Sequence, residues 1–295
     1  MTVTPAHRFF GAGAVTLVAA AFVGCAPTDE SSDSDSDDAS EVLASDCAAN
    51  ELPLVNPDQL TIATDAPAYE PYFKNNDPTN GMGFESAVAY AVADQMGFLP
   101  DQVEWVTVPF NSSYKPGSKD FDFDINQISI TQKRAEAVTF SQGYYTAAQA
   151  LITLKDSDYA DATSLDDFAD ARLGAQVATT SLDAIDNEIQ PSQQPQIFDN
   201  TNDAKQALLN DQVDAIVADL PTAFYITAVE IPQGKVVGQF QVTSGDTEEF
   251  GLLMEQNSAL APCVDLALTT LKDDGTLAQL EKRWMSDAAG VPELS

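Results

Sequence analysis

Histidine is all but missing from this 295-residue chain: His7 is the only one. Bases are scarce too, with 13 Lys and Arg against 46 Asp and Glu, for a formal charge of −33. That balance excludes nucleic acid as a partner, because nothing here could neutralise phosphates. It describes a solvated acidic surface that keeps a protein soluble. There is no C-x-x-C, no G-x-S-x-G, no G-x-x-x-x-G-K and no H-E-x-x-H. His7 lies in an N-terminal stretch that reads as removable. The mature chain then has no His general base and no His ligand, which removes the commonest hydrolase mechanisms. No metal site can be built from distant cysteines alone, and no cofactor is expected.

What is present begins with a leader. MTVTPAHRFF precedes GAGAVTLVAAAFVG, a run of signal-peptide length that is too short for a comfortable membrane span. Residues 1–24 are therefore read as a signal peptide. The run closes with Phe22-Val23-Gly24-Cys25, which resembles the lipobox of bacterial lipoproteins, with Phe22 where Leu is usual. That resemblance implies a diacylated Cys25; a cleaved secretory peptide with an incidental cysteine is the alternative. Residues 25–46 follow as a tether: APTDESSDSDSDDASEVLASD holds eight acids and no base, a composition for a disordered, self-repelling segment. Cys47 and Cys263 remain. In an exported protein such a pair is expected to form a disulfide, with two reduced, buried thiols as the alternative.

With 44% hydrophobic residues the chain can bury a substantial core, in one or two domains. From Leu60 it alternates strand and helix signals. LTIAT (60–64), VEWVTVPF (103–110) and AAQALITL (147–154) read as strands; FESAVAYAVADQMG (84–97) and QKRAEAVTF (132–140) read as helices. A second run follows, with strands at 172–177, 213–219, 235–242 and 250–255 and helices at 164–170, 179–190, 204–212, 221–230, 258–274 and 276–287. This grammar predicts an α/β fold with a largely parallel sheet and helices on both faces. In FDFDINQISITQKR (121–134), apolar residues alternate with Asp122 and Asp124 as in a half-buried strand, until the phase slips at Asn126 and Gln127.

Four stretches carry a resemblance: ESAVAYAVADQMGF, FDFDINQISITQKRAEAVTFSQGYY, QVDAIVADLPTA and LALTTLKDDGTLAQLEKRW. Together, in order over about residues 47–290, they resemble the type II periplasmic binding proteins of polar amino-acid ABC transporters, solute-binding protein family 3. The resemblance implies a two-lobe Venus-flytrap fold with two interlobe crossovers. Lobe one would be 47–153 and 246–295, and lobe two 154–245. It also implies a site. The S-I-T-x-x-R pattern puts a carboxylate-binding arginine at Arg134, with Ser129, Asn126 and the backbone around Gln127 beside it. A Gly-Thr-Thr-like turn falls on Ala178-Thr179-Thr180, Ala178 replacing the glycine, and the ammonium-binding acid of D-A-I-x-x-D falls on Asp219. TDAPAYEPYF matches the first binding loop, where Tyr69 would pack on the ligand side chain and Phe110 would close the other side. Asp65 and Glu70 flank Tyr69 as candidates for a cationic side chain.

Each residue also has a plainer role. Arg134 suits a solvated helix, Asp219 a cap on the helix opening at Pro221, Thr179 and Thr180 N-caps, and Tyr69 and Phe110 ordinary core. The function implied is a lipid-anchored, extracytoplasmic monomer that captures a free polar amino acid and delivers it to a membrane permease and ATPase. The rivals are a cyclohexadienyl-dehydratase-like enzyme on the same fold and a sensory ligand-binding module.

Overall fold

A computed structural model describes residues 47–49, 52–242, 248–285 and 290–294. The leader, Cys25 and the acidic tether lie outside them. No helix among the described residues is long and apolar enough to cross a membrane.

The first lobe is built on β1 (Leu60–Thr64), a strand buried at every position, as in a central strand covered on both faces. It lies between β2 (Val103–Thr107) and β3 (Phe123–Asp124), parallel to both. Helix α1 (Phe84–Gln95) packs on this sheet through Phe84, Val88 and Val92. Its entry needs Gly83, whose φ is +98° and where a Cβ would collide with the Tyr72 carbonyl. Then come two single turns, α2 (Phe110–Ser113) and α3 (Gln132–Ala135), and the long strand β4 (Thr139–Thr146).

The chain now crosses. Strand β5 (Gln149–Leu154) starts the second sheet, followed by β6 (Leu173–Gln176), α4 (Thr180–Ala184), β7 (Gln196–Phe198), α5 (Thr201–Leu209), β8 (Ala215–Asp219), α6 (Leu220–Tyr225) and β9 (Gly234–Phe240). Both α4 and α6 run on into π-helical turns, at Ile185–Ile189 and Ile226–Glu230. Strand β10 (Glu249–Met254) then returns to the first sheet, and α7 (Ala261–Asp273) and α8 (Thr276–Trp284) pack against α1. Cys263 on α7 is disulfide-bonded to Cys47, their Cα atoms 5.4 Å apart across 216 residues of sequence.

The sheets are β2-β1-β3-β10-β4 and β7-β6-β8-β5-β9. Neither is largely parallel. In each, the strand that arrives from the other lobe, β10 or β5, pairs antiparallel on both sides. A strand entering directly from a neighbouring lobe comes in from the opposite end, and no helix intervenes to turn it round. Strand β5, counted with lobe one in the sequence reading, belongs to the second sheet. So does the end of the chain: the Gln239 amide donates to the Pro292 carbonyl, the Leu294 amide donates to the Gln239 carbonyl, and Leu294 is buried against Gly238 of β9.

Local readings also change. QKRAEAVTF is one helical turn followed by the start of β4, a strand not anticipated, and neither was β7. FDFDIN is not half-buried. Every residue from Phe121 to Asn126 is buried, including both aspartates. Asp122 accepts hydrogen bonds from the Val55 and Thr61 amides at 2.8 and 2.7 Å, and Asp124 accepts one from the Ser113 hydroxyl. Replacing Asp122 with Ala would strand two backbone donors. We expect a loss of about 2–4 kcal/mol in urea denaturation, visible as a lower midpoint at unchanged slope.

Candidate ligand-binding cleft

The carboxyl ends of the parallel strands of both sheets face a cleft between the lobes. Asp65, Tyr69, Phe110, Asn126 and Gln127 line it from the first lobe; Thr179, Thr180 and Asp219 line it from the second. Gln176, Ser181, Thr201 and Thr222 join them. The phase slip noted in the sequence is where β3 ends. Gln127 adopts φ +47°, and its backbone N–H donates to Glu85 Oε1 at 2.7 Å. The Gln127 side chain and the Tyr144 hydroxyl bond the same buried carboxylate. Beside it the Asn126 amide nitrogen is buried with no partner, a donor at the cleft wall.

Arg134 does not line the cleft directly. It is 8% exposed, donating through Nη1 to the Ser129 carbonyl (2.7 Å) and through Nη2 across the cleft to the Ala178 carbonyl (3.0 Å). Its guanidinium lies 4.9 Å from the Tyr114 ring centroid and 5.5 Å from that of Phe110. It is no solvated helix residue. Burial pulls its pKa below the ordinary value, with Tyr114, Glu248, Asp183 and Asp219 opposing. Ser129 stands beside it, its hydroxyl donating to Glu248 Oε1 at 2.6 Å and lying 3.3 Å from the Thr180 hydroxyl of the other lobe.

The alternative roles separate cleanly. Thr179 is an N-cap: its Oγ1 accepts from the Leu182 amide at 3.2 Å. Thr180 makes no such bond and faces Ser129. Ala178 keeps the left-handed conformation expected of the glycine it replaces, with φ +62°. Asp219 occupies the N-cap position of α6, yet its side chain caps nothing. It accepts from Gln149 Nε2 at 2.8 Å instead. Glu70 turns away from the cleft into an ion pair with Lys74 at 2.7 Å. The Tyr69 ring has the Lys205 ammonium 5.7 Å from its centroid.

Carboxyl groups are concentrated here. Burial pushes the Asp219 carboxyl up to about 8, helped by the neighbouring Glu248. Burial likewise lifts Glu85 and Asp124 to about 7, and raises Asp65. Two network members escaped the sequence reading. Gln149 left a trace as the lone amide in the apolar run AAQALITL, whereas Glu248 had no signal among so many acids.

Two packed α/β lobes joined by crossovers, with a polar cleft between them, define a type II periplasmic-binding-protein fold. The chain belongs to the bacterial extracellular solute-binding proteins, family 3, whose model matches residues 60–287. It is 28% identical to the arginine-binding extracellular protein ArtP of Bacillus subtilis (strain 168) over 225 residues, 74% of this chain and 83% of that one. Among solved structures it is similar to an ancestral arginine-binding protein bound to arginine, at 28% identity and TM-score 0.64, over 77% of this chain and 98% of that one. It is also similar to the ancestral amino acid-binding protein AncCDT-1, a precursor of cyclohexadienyl dehydratase, at 27% identity and TM-score 0.63, over 77% and 95% of the two chains.

The buried acids fix a sign for the pH dependence of stability. Asp124, Glu85 and Asp219 all have folded pKa values above their unfolded ones. The folded state therefore holds more protons between about pH 4 and 8, and stability falls as pH rises through that window. The urea midpoint should be higher at pH 5 than at pH 7.5, and Asp124→Asn should reduce that slope.

Proposed function

We propose that this protein captures a polar L-amino acid in the interlobe cleft and delivers it to a membrane ABC permease. The observation that carries the reading is Asp219, a half-buried carboxylate at a helix start that caps nothing and lines the cleft with Thr180. An α-amino acid offers an ammonium and a carboxylate on one carbon. Asp219 takes the ammonium; the Thr180 and Ser129 hydroxyls, with Arg134 behind Ser129, take the carboxylate. For that, Arg134 exchanges a backbone carbonyl for the ligand as the lobes settle. Asp65, Tyr69 and Asn126 lie at the side-chain end, and a second acid there favours a cationic side chain. The arginine-binding names among the relatives support that choice.

The family places the protein outside the cytoplasmic membrane, and we infer a lipid anchor on Cys25 from the lipobox-like Phe22-Val23-Gly24-Cys25. Cys25→Ser should move the protein from the membrane to the soluble fraction of fractionated cells.

A panel of common amino acids tested by thermal shift and calorimetry checks the main reading, and no rise in melting temperature with any of them would overturn it. Asp219→Asn should weaken the best ligand by about 100-fold or more while leaving the melting temperature of the empty protein unchanged or higher. Asp219 is largely protonated at neutral pH when the cleft is empty and ionises against an ammonium. Binding should therefore release a proton near pH 7, measured by calorimetry in buffers of differing ionisation enthalpy, and affinity should rise from pH 6 to pH 8.5.

A second reading rests on the same raised pKa, since a protonated Asp219 is placed as a general acid for elimination of water from a prephenate-like acid. An absorbance assay with prephenate and arogenate distinguishes turnover from binding.

A further inference from the structure

Two residues outside the expected ligand set link the whole cleft. Gln149 is the first residue of β5, on the outgoing crossover, and is fully buried. Glu248 immediately precedes β10, on the return crossover, and is 8% exposed. The crossovers run side by side: the Ala147 amide donates to the Glu248 carbonyl at 2.9 Å. Both the nitrogen and the oxygen of the Gln149 amide are engaged. Nε2 donates to Asp219 Oδ1 at 2.8 Å and to Glu248 Oε2 at 3.0 Å, and Oε1 accepts from the Ser181 hydroxyl at 2.6 Å. The other oxygen of Glu248 accepts from Ser129, which meets Thr180.

We propose that Gln149 and Glu248 form a clasp between the two crossovers that couples the ammonium end of the cleft to its carboxylate end, both acting as positioning residues through Asp219. The proposal rests on the amino-acid-binding reading for its consequence in affinity, but the clasp itself is a property of the empty protein. A single amide holds two carboxylates apart and in place. Its NH₂ can serve both only in one orientation, which Ser181 fixes from the other side. Ser129 cannot shift toward a ligand without releasing Glu248, and Glu248 cannot shift without altering the field at Asp219. Ligand arrival at the Ser129 end is thereby felt at the ammonium end.

The clasp makes two predictions of opposite sign. The groups facing Asp219 are Glu248 on the return crossover, Gln149 on β5, Glu85 on α1, Tyr72 before it, Tyr145 on β4 and Arg134 on α3. Glu248→Gln removes a negative charge from beside Asp219 and should lower its titration midpoint by roughly one pH unit. Gln149→Leu removes the donor that favours the ionised form and should raise it. Gln149→Asn withdraws the amide by one methylene and carries the same sign if Gln149→Leu does not fold.

The test is a carboxyl carbon NMR titration of the empty full-length chain, with the Asp219 resonance assigned by its loss in Asp219→Asn. Midpoints displaced in opposite directions support the clasp. Midpoints that coincide with the wild type, or move together, overturn it, because a merely structural role would loosen both variants alike. In parallel, the affinity of the best amino acid from the panel should improve about tenfold at pH 6 relative to pH 8.5 in Glu248→Gln, one pKa unit being a tenfold change in ionised fraction. A wild-type chain that binds no amino acid would defeat the transport reading, and the titration would still decide the clasp.

Discussion

The cleft is organised around carboxylates that have been taken out of water. Asp219 ends β8 in a half-buried position, with Glu248 beside it and Glu85 beyond, and the Arg134 guanidinium opposes them. Charges in such a place are tolerated when their hydrogen-bonding capacity is met or when they carry a proton. Both solutions are used. Gln149, Ser129, Tyr144 and Gln127 supply donors, and burial pushes the acids toward neutrality. In the proposed function, an ammonium entering the cleft gives these carboxyl groups the opposite charge they lack.

The same arrangement explains the unusual backbone around the cleft. Gln127 and Ala178, one from each lobe, both adopt left-handed conformations that cost a residue with a Cβ about 1–2 kcal/mol. The Gln127 amide bonds Glu85; the Ala178 carbonyl accepts from Arg134 across the cleft. Each strained turn is held by a charged side chain buried next to it. The two crossovers lie side by side and are joined by the bond from the Ala147 amide to the Glu248 carbonyl.

Much of the fold was legible in local pattern. Apolar runs such as LTIAT and AIVAD are short and wholly buried, as central strands are, and α1 has helical spacing with a glycine at each end. The cleft residues were legible through their resemblance to a family, and the structure gathers most of them on one surface. Other features were not readable. Asp122 and Asp124 alternate with Phe as if exposed, yet both are buried, because their partners come from Val55, Thr61 and Ser113, distant in sequence or on another element. Glu70 matched the binding loop but found Lys74 one turn on.

By itself, the sequence determined the composition of the problem: an acidic chain whose single histidine lies in its first ten residues, two runs of strand and helix, and one arginine next to a strand end. Those follow from local spacing and from which side chains are absent. Only the tertiary structure decided the direction of β5 and β10 and the meeting of Gln149 with Glu248. Each of these depends on where the chain goes after leaving a lobe. Gln149 and Glu248 stand 99 positions apart, and nothing local signals their contact. It exists because two antiparallel crossings, set by the packing of whole sheets, bring an amide and a carboxylate together out of water.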